Sequence, residues 1–111
     1  FAVNYGSRDE IVRAVRKYTI EAIRAGKSEE ETEALTEQAF AGYLDTAGMP
    51  DPDLVIRTSR EFRLSNYLLW QSAYAEYYIT PVLWPDFTKD ELLKAIDSFN
   101  SRERRFCGRK K

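Results

Sequence analysis

The apolar run Leu54-Val55-Ile56 constrains this chain more than any other feature. It shows no apolar–polar alternation, so the strand it forms has no face suited to water. Continuous apolar strands of this kind are characteristic of parallel sheets covered by helices on both faces. The run follows a breaker-rich stretch, Gly48-Met49-Pro50-Asp51-Pro52-Asp53, and leads straight into Arg57-Thr58. Arg57 is therefore expected at the carboxyl end of the strand, where open α/β sheets bind their ligands.

Helical patterns surround this strand. Ser7 and Glu10 have capping-box spacing, and Ile11, Val12, Val15, Tyr18, Ala22 and Ile23 repeat behind them at helical intervals. A helix with that buried stripe follows, with Arg13, Arg16 and Lys17 largely outside it and Gly26 as its left-handed cap. Ser28 and Glu31 open a second helix, whose apolar face is Leu35, Ala39, Phe40, Tyr43 and Leu44. A third is expected to start at Ser65 or Asn66 and run through Leu68, Leu69, Ser72 and Ala73. Thr88 and Glu91 begin the last, with Leu92, Leu93, Ile96 and Phe99 facing inward. Tyr77-Tyr78-Ile79 reads as a further short strand, and Phe1-Ala2-Val3 as the tail of a strand begun upstream. Trp84-Pro85-Asp86-Phe87 reads as a structural turn. The predicted fold class is α/β with parallel strands.

Charge and composition narrow the chemistry. The 111 residues carry a formal net charge of −1, so no global field favours nucleic acid or an anionic membrane. An anion site must be built locally. Histidine is absent, which removes histidine bases and histidine metal ligands. The lone cysteine, Cys107, rules out an intramolecular disulfide framework and fits a reducing compartment.

The local anion site is sought in Arg57-Thr58-Ser59-Arg60-Glu61-Phe62-Arg63-Leu64-Ser65-Asn66. Between a strand and a helix start, unpaired backbone N–H groups and the helix dipole favour phosphate. Arg57 and Arg63 add guanidinium forks that match phosphate oxygens, and Ser65 adds a hydroxyl. The same residues also fit a plain wet surface, with the arginines paired to Glu61 or Asp53 and Ser65 serving as a helix cap. Glu76 lies about three helical turns beyond Asn66. It reads either as an exposed helix-end carboxylate or as a Mg2+ ligand beside a diphosphate.

Longer motifs carry a family resemblance. Asp53-Leu54-Val55-Ile56-Arg57-Thr58-Ser59, Arg63-Leu64-Ser65-Asn66-Tyr67-Leu68-Leu69-Trp70-Gln71 and Ala73-Tyr74-Ala75-Glu76 are its centre. Leu83-Trp84-Pro85-Asp86-Phe87 and Arg102-Glu103-Arg104-Arg105-Phe106 extend it, and Asn4-Tyr5-Gly6-Ser7-Arg8 is similar to an upstream N-Y-G-G-R stretch. Together they resemble the cis-prenyltransferase family of the undecaprenyl diphosphate synthase type. The resemblance implies that residues 1–111 are the C-terminal portion of one domain, half of an open, mostly parallel sheet flanked by helices, with the N-terminal half absent.

The implied activity is condensation of isopentenyl diphosphate with an allylic diphosphate such as farnesyl diphosphate. The product would be a Z-polyprenyl diphosphate, an undecaprenyl carrier for cell-wall synthesis. By resemblance, Arg57, Arg63 and Ser65 hold isopentenyl diphosphate, and Glu76 positions Mg2+ in a site shared across a homodimer. A cytoplasmic protein that touches the membrane only through its product is implied, with no nucleic-acid partner. The family's D-G-N-G-R-W-A motif with its catalytic Asp is missing, so the resemblance implies no catalytic residue here and no turnover by this chain alone. Ser7, Arg60 and Cys107 stand where the family usually has Gly. The competing reading is a non-catalytic accessory or phosphate-binding interaction module, which predicts binding without turnover.

Overall fold

The computed structural model describes residues 4–60 and 62–102. The strand expected at residues 1–3 and the basic end with Cys107 lie outside them. The chain forms two compact units, one of residues 4–50 and 66–70, the other of residues 51–60, 62–65 and 71–102.

The first unit is helical: α1 (Ser7–Arg24), α2 (Glu29–Glu33) and α3 (Glu37–Ala41). Helix α1 stops where Gly26 takes φ +65°. The Lys27 N–H then reaches the Ala22 carbonyl and the Gly26 N–H the Ile23 carbonyl, closing a Schellman cap. The capping box at Ser28 and Glu31 forms as expected. The single helix predicted after it does not. Thr36 takes the Ala39 N–H on its hydroxyl and restarts the chain as α3, because a side-chain acceptor competes with helix continuation.

Ala14, Phe40 and Leu44 form the core of this unit, with Ile11, Ala41, Tyr43 and Trp70 packed around them. Phe40 and Trp70 rings meet at 5.0 Å, and Tyr18 meets Tyr43 edge-on at 5.5 Å. The buried stripe of α1 is Ser7, Glu10, Ala14 and Tyr18. That corrects the expected stripe, since Val12, Val15 and Ile23 are exposed. Helix α1 is apolar on two sides, and this unit covers only one.

The start of α1 is also held differently from the expected capping box. Gly6 is the N-cap, and no side chain caps the helix locally. Instead Asn66 accepts the Ser7 N–H on its backbone carbonyl and the Arg8 N–H on its Oδ1, each at 2.8 Å. The Ser7 hydroxyl accepts the Leu69 N–H at 2.9 Å. The buried Glu10 carboxylate accepts from the Tyr5 hydroxyl and, at 2.8 Å, from the Asp45 N–H. A Cβ on Gly6 would sit 2.9 Å from Asn66 Nδ2, so a larger residue there would have to push the Asn66 amide aside.

The second unit holds the sheet. Strand β1 (Leu54–Arg57) pairs in parallel with β2 (Glu76–Ile79), Leu54 opposite Glu76 and Arg57 opposite Ile79. The α/β class with parallel strands is thus observed. The expected burial of β1 on both faces is not: every residue of both strands is half-buried. Among the described residues the sheet has two strands, each with one open edge. Helix α4 (Lys89–Asn100) packs against β2 after a 3-10 turn at Trp84–Asp86. Thr88 caps it, as the sequence predicts, and Trp84, largely exposed, stacks on Phe87 at 5.8 Å. Ala95 is buried, whereas Leu92, Leu93 and Ile96 remain exposed, contrary to the expected inward face.

Candidate functional site: an arginine pocket at the end of strand β1

Three of the predicted site residues come together. Arg57 ends β1, and its Nη2 donates to Ser65 Oγ at 3.2 Å. Arg57 and Arg63 line one cavity of about 130 Å³, with Phe62, Leu64, Tyr77 and Ile79 as its other walls. The strand geometry explains the lining. Tyr77 and Ile79 are two residues apart on β2 and share a face, and Arg57 is the register partner of Ile79. The loop after β1 folds back over that face and carries Phe62, Arg63 and Leu64 to it. Two guanidiniums at one small apolar cavity can grip an anion with several oxygens.

The donors are side chains, not a helix start. No helix begins at Ser65 or Asn66; residues 65–74 are turns and bends. Ser65, Asn66 and Leu68 have φ of 51°, 57° and 45°, a left-handed conformation in which an α-helix cannot propagate. The phosphate seat expected from a helix dipole is therefore absent from this loop. Upstream, the Ser59 N–H bonds the Val82 carbonyl at 3.1 Å and the Arg60 N–H bonds the Thr80 carbonyl at 3.0 Å. Those amides hold the loop to the chain beyond β2.

Arg60 has φ 56°, so the position favours glycine, in keeping with the residue it replaces in the family pattern. Ser7 is different. It sits in the first turn of α1 without positive φ and is fully buried with its hydroxyl bonded, so it costs no backbone strain.

Glu76 does not join the arginines. It opens β2 rather than lying on a helix, three register positions before Ile79, about 10 Å along the strand. Its side chain alternates to the face opposite Tyr77 and Ile79. There it meets Arg102 Nη1 at 3.4 Å. Arg102 also donates to the Tyr77 carbonyl at 2.7 Å and to Ser98 Oγ at 3.2 Å. Among the described residues no three metal-ligating side chains cluster. One carboxylate fits Mg2+ only where phosphate oxygens and waters complete the shell, which is the usual state of that ion beside a diphosphate.

Sequence reasoning missed the apolar walls and Arg102. The Phe62-Arg63-Leu64 alternation and the period-two pair Tyr77 and Ile79 were the available signals.

Residues 1–107 match the Prenyltransf family, described as undecaprenyl diphosphate synthase. The chain belongs to this family. Among curated prenyltransferases, it is 54% identical over 106 residues to an isoprenyl transferase of Thermus thermophilus, covering 95% of this chain and 40% of that protein. It is 58% identical over 107 residues to one of Fusobacterium nucleatum, covering 96% and 42%. A crystal structure of lavandulyl diphosphate synthase from Lavandula x intermedia, in complex with dimethylallyl diphosphate, superposes with a TM-score of 0.85 at 40% identity. It covers 94% of this chain and 44% of that one. A probable undecaprenyl diphosphate synthase from Campylobacter jejuni gives 0.71 at 38% identity. The chain therefore spans about two-fifths of the length of the prenyltransferases it matches.

Proposed function

We propose that this chain supplies the isopentenyl diphosphate pocket of a cis-prenyltransferase that extends an allylic diphosphate such as farnesyl diphosphate into a long Z-polyprenyl diphosphate. The observation that carries the reading is the meeting of Arg57, Arg63 and Ser65 at the carboxyl end of β1, with both guanidiniums on one cavity. The prenyltransferase relatives and their solved structures support the substrate class.

The reaction sets the pocket's task. The allylic C–O bond breaks and diphosphate leaves, the isopentenyl double bond attacks the allylic carbon, and a proton is lost from the isopentenyl unit. Arg57 and Arg63 bind the diphosphate of the nucleophile, with Ser65 steadying Arg57, and so fix where its double bond lies. Holding two reactants in one geometry accounts for much of such a rate enhancement. Apolar walls beside the arginines exclude water and strengthen each ionic contact. Glu76 is the residue that would hold Mg2+. When bound, that ion neutralises charge on a departing diphosphate. Glu76 and the arginines occupy opposite ends of the sheet, and the family resemblance implies a homodimer in which a shared site would use both. An undecaprenyl carrier for cell-wall synthesis, held near the membrane by its product, is the biological role proposed.

The test is titration of the purified chain with isopentenyl diphosphate. Arg63→Ala should weaken binding by about 1.5–3 kcal/mol, the range for a charge-assisted contact. Unchanged affinity removes Arg63 from the site. With farnesyl diphosphate and Mg2+, the 111-residue chain alone should form no elongated product. Labelled polyprenyl product in that assay would show that it needs no further residues.

A further inference from the structure

We infer that Phe62 makes this pocket select diphosphates that carry a hydrocarbon chain, an inference that rests on Arg57 and Arg63 holding the diphosphate. The walls divide by chemistry. Two are cationic, and Phe62, Leu64, Tyr77 and Ile79 are apolar or aromatic. Along the loop the order is apolar, cationic, apolar, and all three residues line the cavity, so its cationic wall has apolar walls on either side of it in the chain.

A site for inorganic phosphate gains nothing from such bracketing, because hydrated anions bind best where every wall can donate. An amphiphile with a charged head and a branched apolar tail matches both kinds of wall. The cavity holds about 130 Å³, the room of roughly four waters. That is room for a short branched tail.

Phe62 is the wall that the fold leaves uncovered. It is 80% exposed, the most exposed large apolar side chain among the described residues. No burial among the described residues accounts for a phenyl ring at this position, and its apolar area lies at the cavity where a ligand could meet it. A tail lying against the ring removes both surfaces from water, and the gain scales with that area. Arg57 and Arg63 then read the head, and Phe62 reads whether a tail is attached.

The experiment is calorimetry of the 111-residue chain with isopentenyl diphosphate and, separately, inorganic pyrophosphate. The unaltered chain should bind isopentenyl diphosphate more tightly than pyrophosphate. Phe62→Ala should weaken isopentenyl diphosphate about tenfold and leave pyrophosphate within about twofold. Phe62→Leu should recover most of the loss. Equal weakening of both probes means that Phe62 only shapes the loop, and no change in either means that it does nothing; each outcome overturns the inference. Arg63→Ala separates it from the reading beneath it. If Arg63→Ala keeps both affinities while Phe62→Ala acts selectively, the head-group assignment fails and tail selection stands. Binding of neither probe by the unaltered chain defeats both.

Discussion

The two ends of the β1–β2 sheet each carry an arginine, and the two arginines are used in opposite ways. At the carboxyl end Arg57 donates to the neutral hydroxyl of Ser65, so its charge is not cancelled by that bond, and a second guanidinium shares its cavity. At the amino end Arg102 meets the carboxylate of Glu76 and the Tyr77 carbonyl, so its charge is locally neutralised and its fork is engaged by the fold. One end brings two arginines to a cavity with apolar walls. The other is a self-paired tie between α4 and β2. Residue type alone does not make an anion site; the partner that each guanidinium already has decides it.

The comparison can be broken most decisively at the carboxyl end. Replacing both Arg57 and Arg63 by Ala should reduce pyrophosphate affinity by more than a hundredfold, about 3 kcal/mol or more, for two charge-assisted contacts. Metal-free calorimetry reads this, and a double variant that still binds would make the cavity irrelevant. At the amino end, Arg102→Ala should leave metal-free pyrophosphate affinity unchanged. It should cost about 1–2 kcal/mol of stability in urea, because the Tyr77 carbonyl and Ser98 lose their donor. A drop in pyrophosphate affinity would show that the two ends are not separate. The smallest effect is expected at Arg60, where φ is 56°. Arg60→Gly should stabilise the chain by about 0.5–1 kcal/mol by relieving a left-handed conformation. A loss of stability would mean that the Arg60 side chain holds the loop.

Much of this was legible locally. Gly26 closes α1, Ser28 and Thr88 cap their helices, and Leu54-Val55-Ile56 forms a strand ending in Arg57. Each follows from chemistry within a few residues. The convergence of Arg57, Arg63 and Ser65 was legible from motif resemblance, although the helix meant to support it was not there. Asn66 illustrates why. Its polar side chain fits a helix start in sequence, yet it bonds the amides of Ser7 and Arg8, far away along the chain. The element that carries Glu76 was misread for a similar reason: local pattern extended a helix toward it, whereas it opens β2.

By itself, the sequence determined the positions of the caps, the strand and its arginine, because φ preference, side-chain capping and apolar continuity act over a turn or less. Tertiary structure alone decided which amides Asn66 would satisfy, which side of α1 would be buried, and which end of the sheet would bring two arginines to one cavity. Those outcomes depend on hydrogen bonds and packing between residues distant in sequence. A local pattern names the groups that need partners, and only the folded chain chooses the partners.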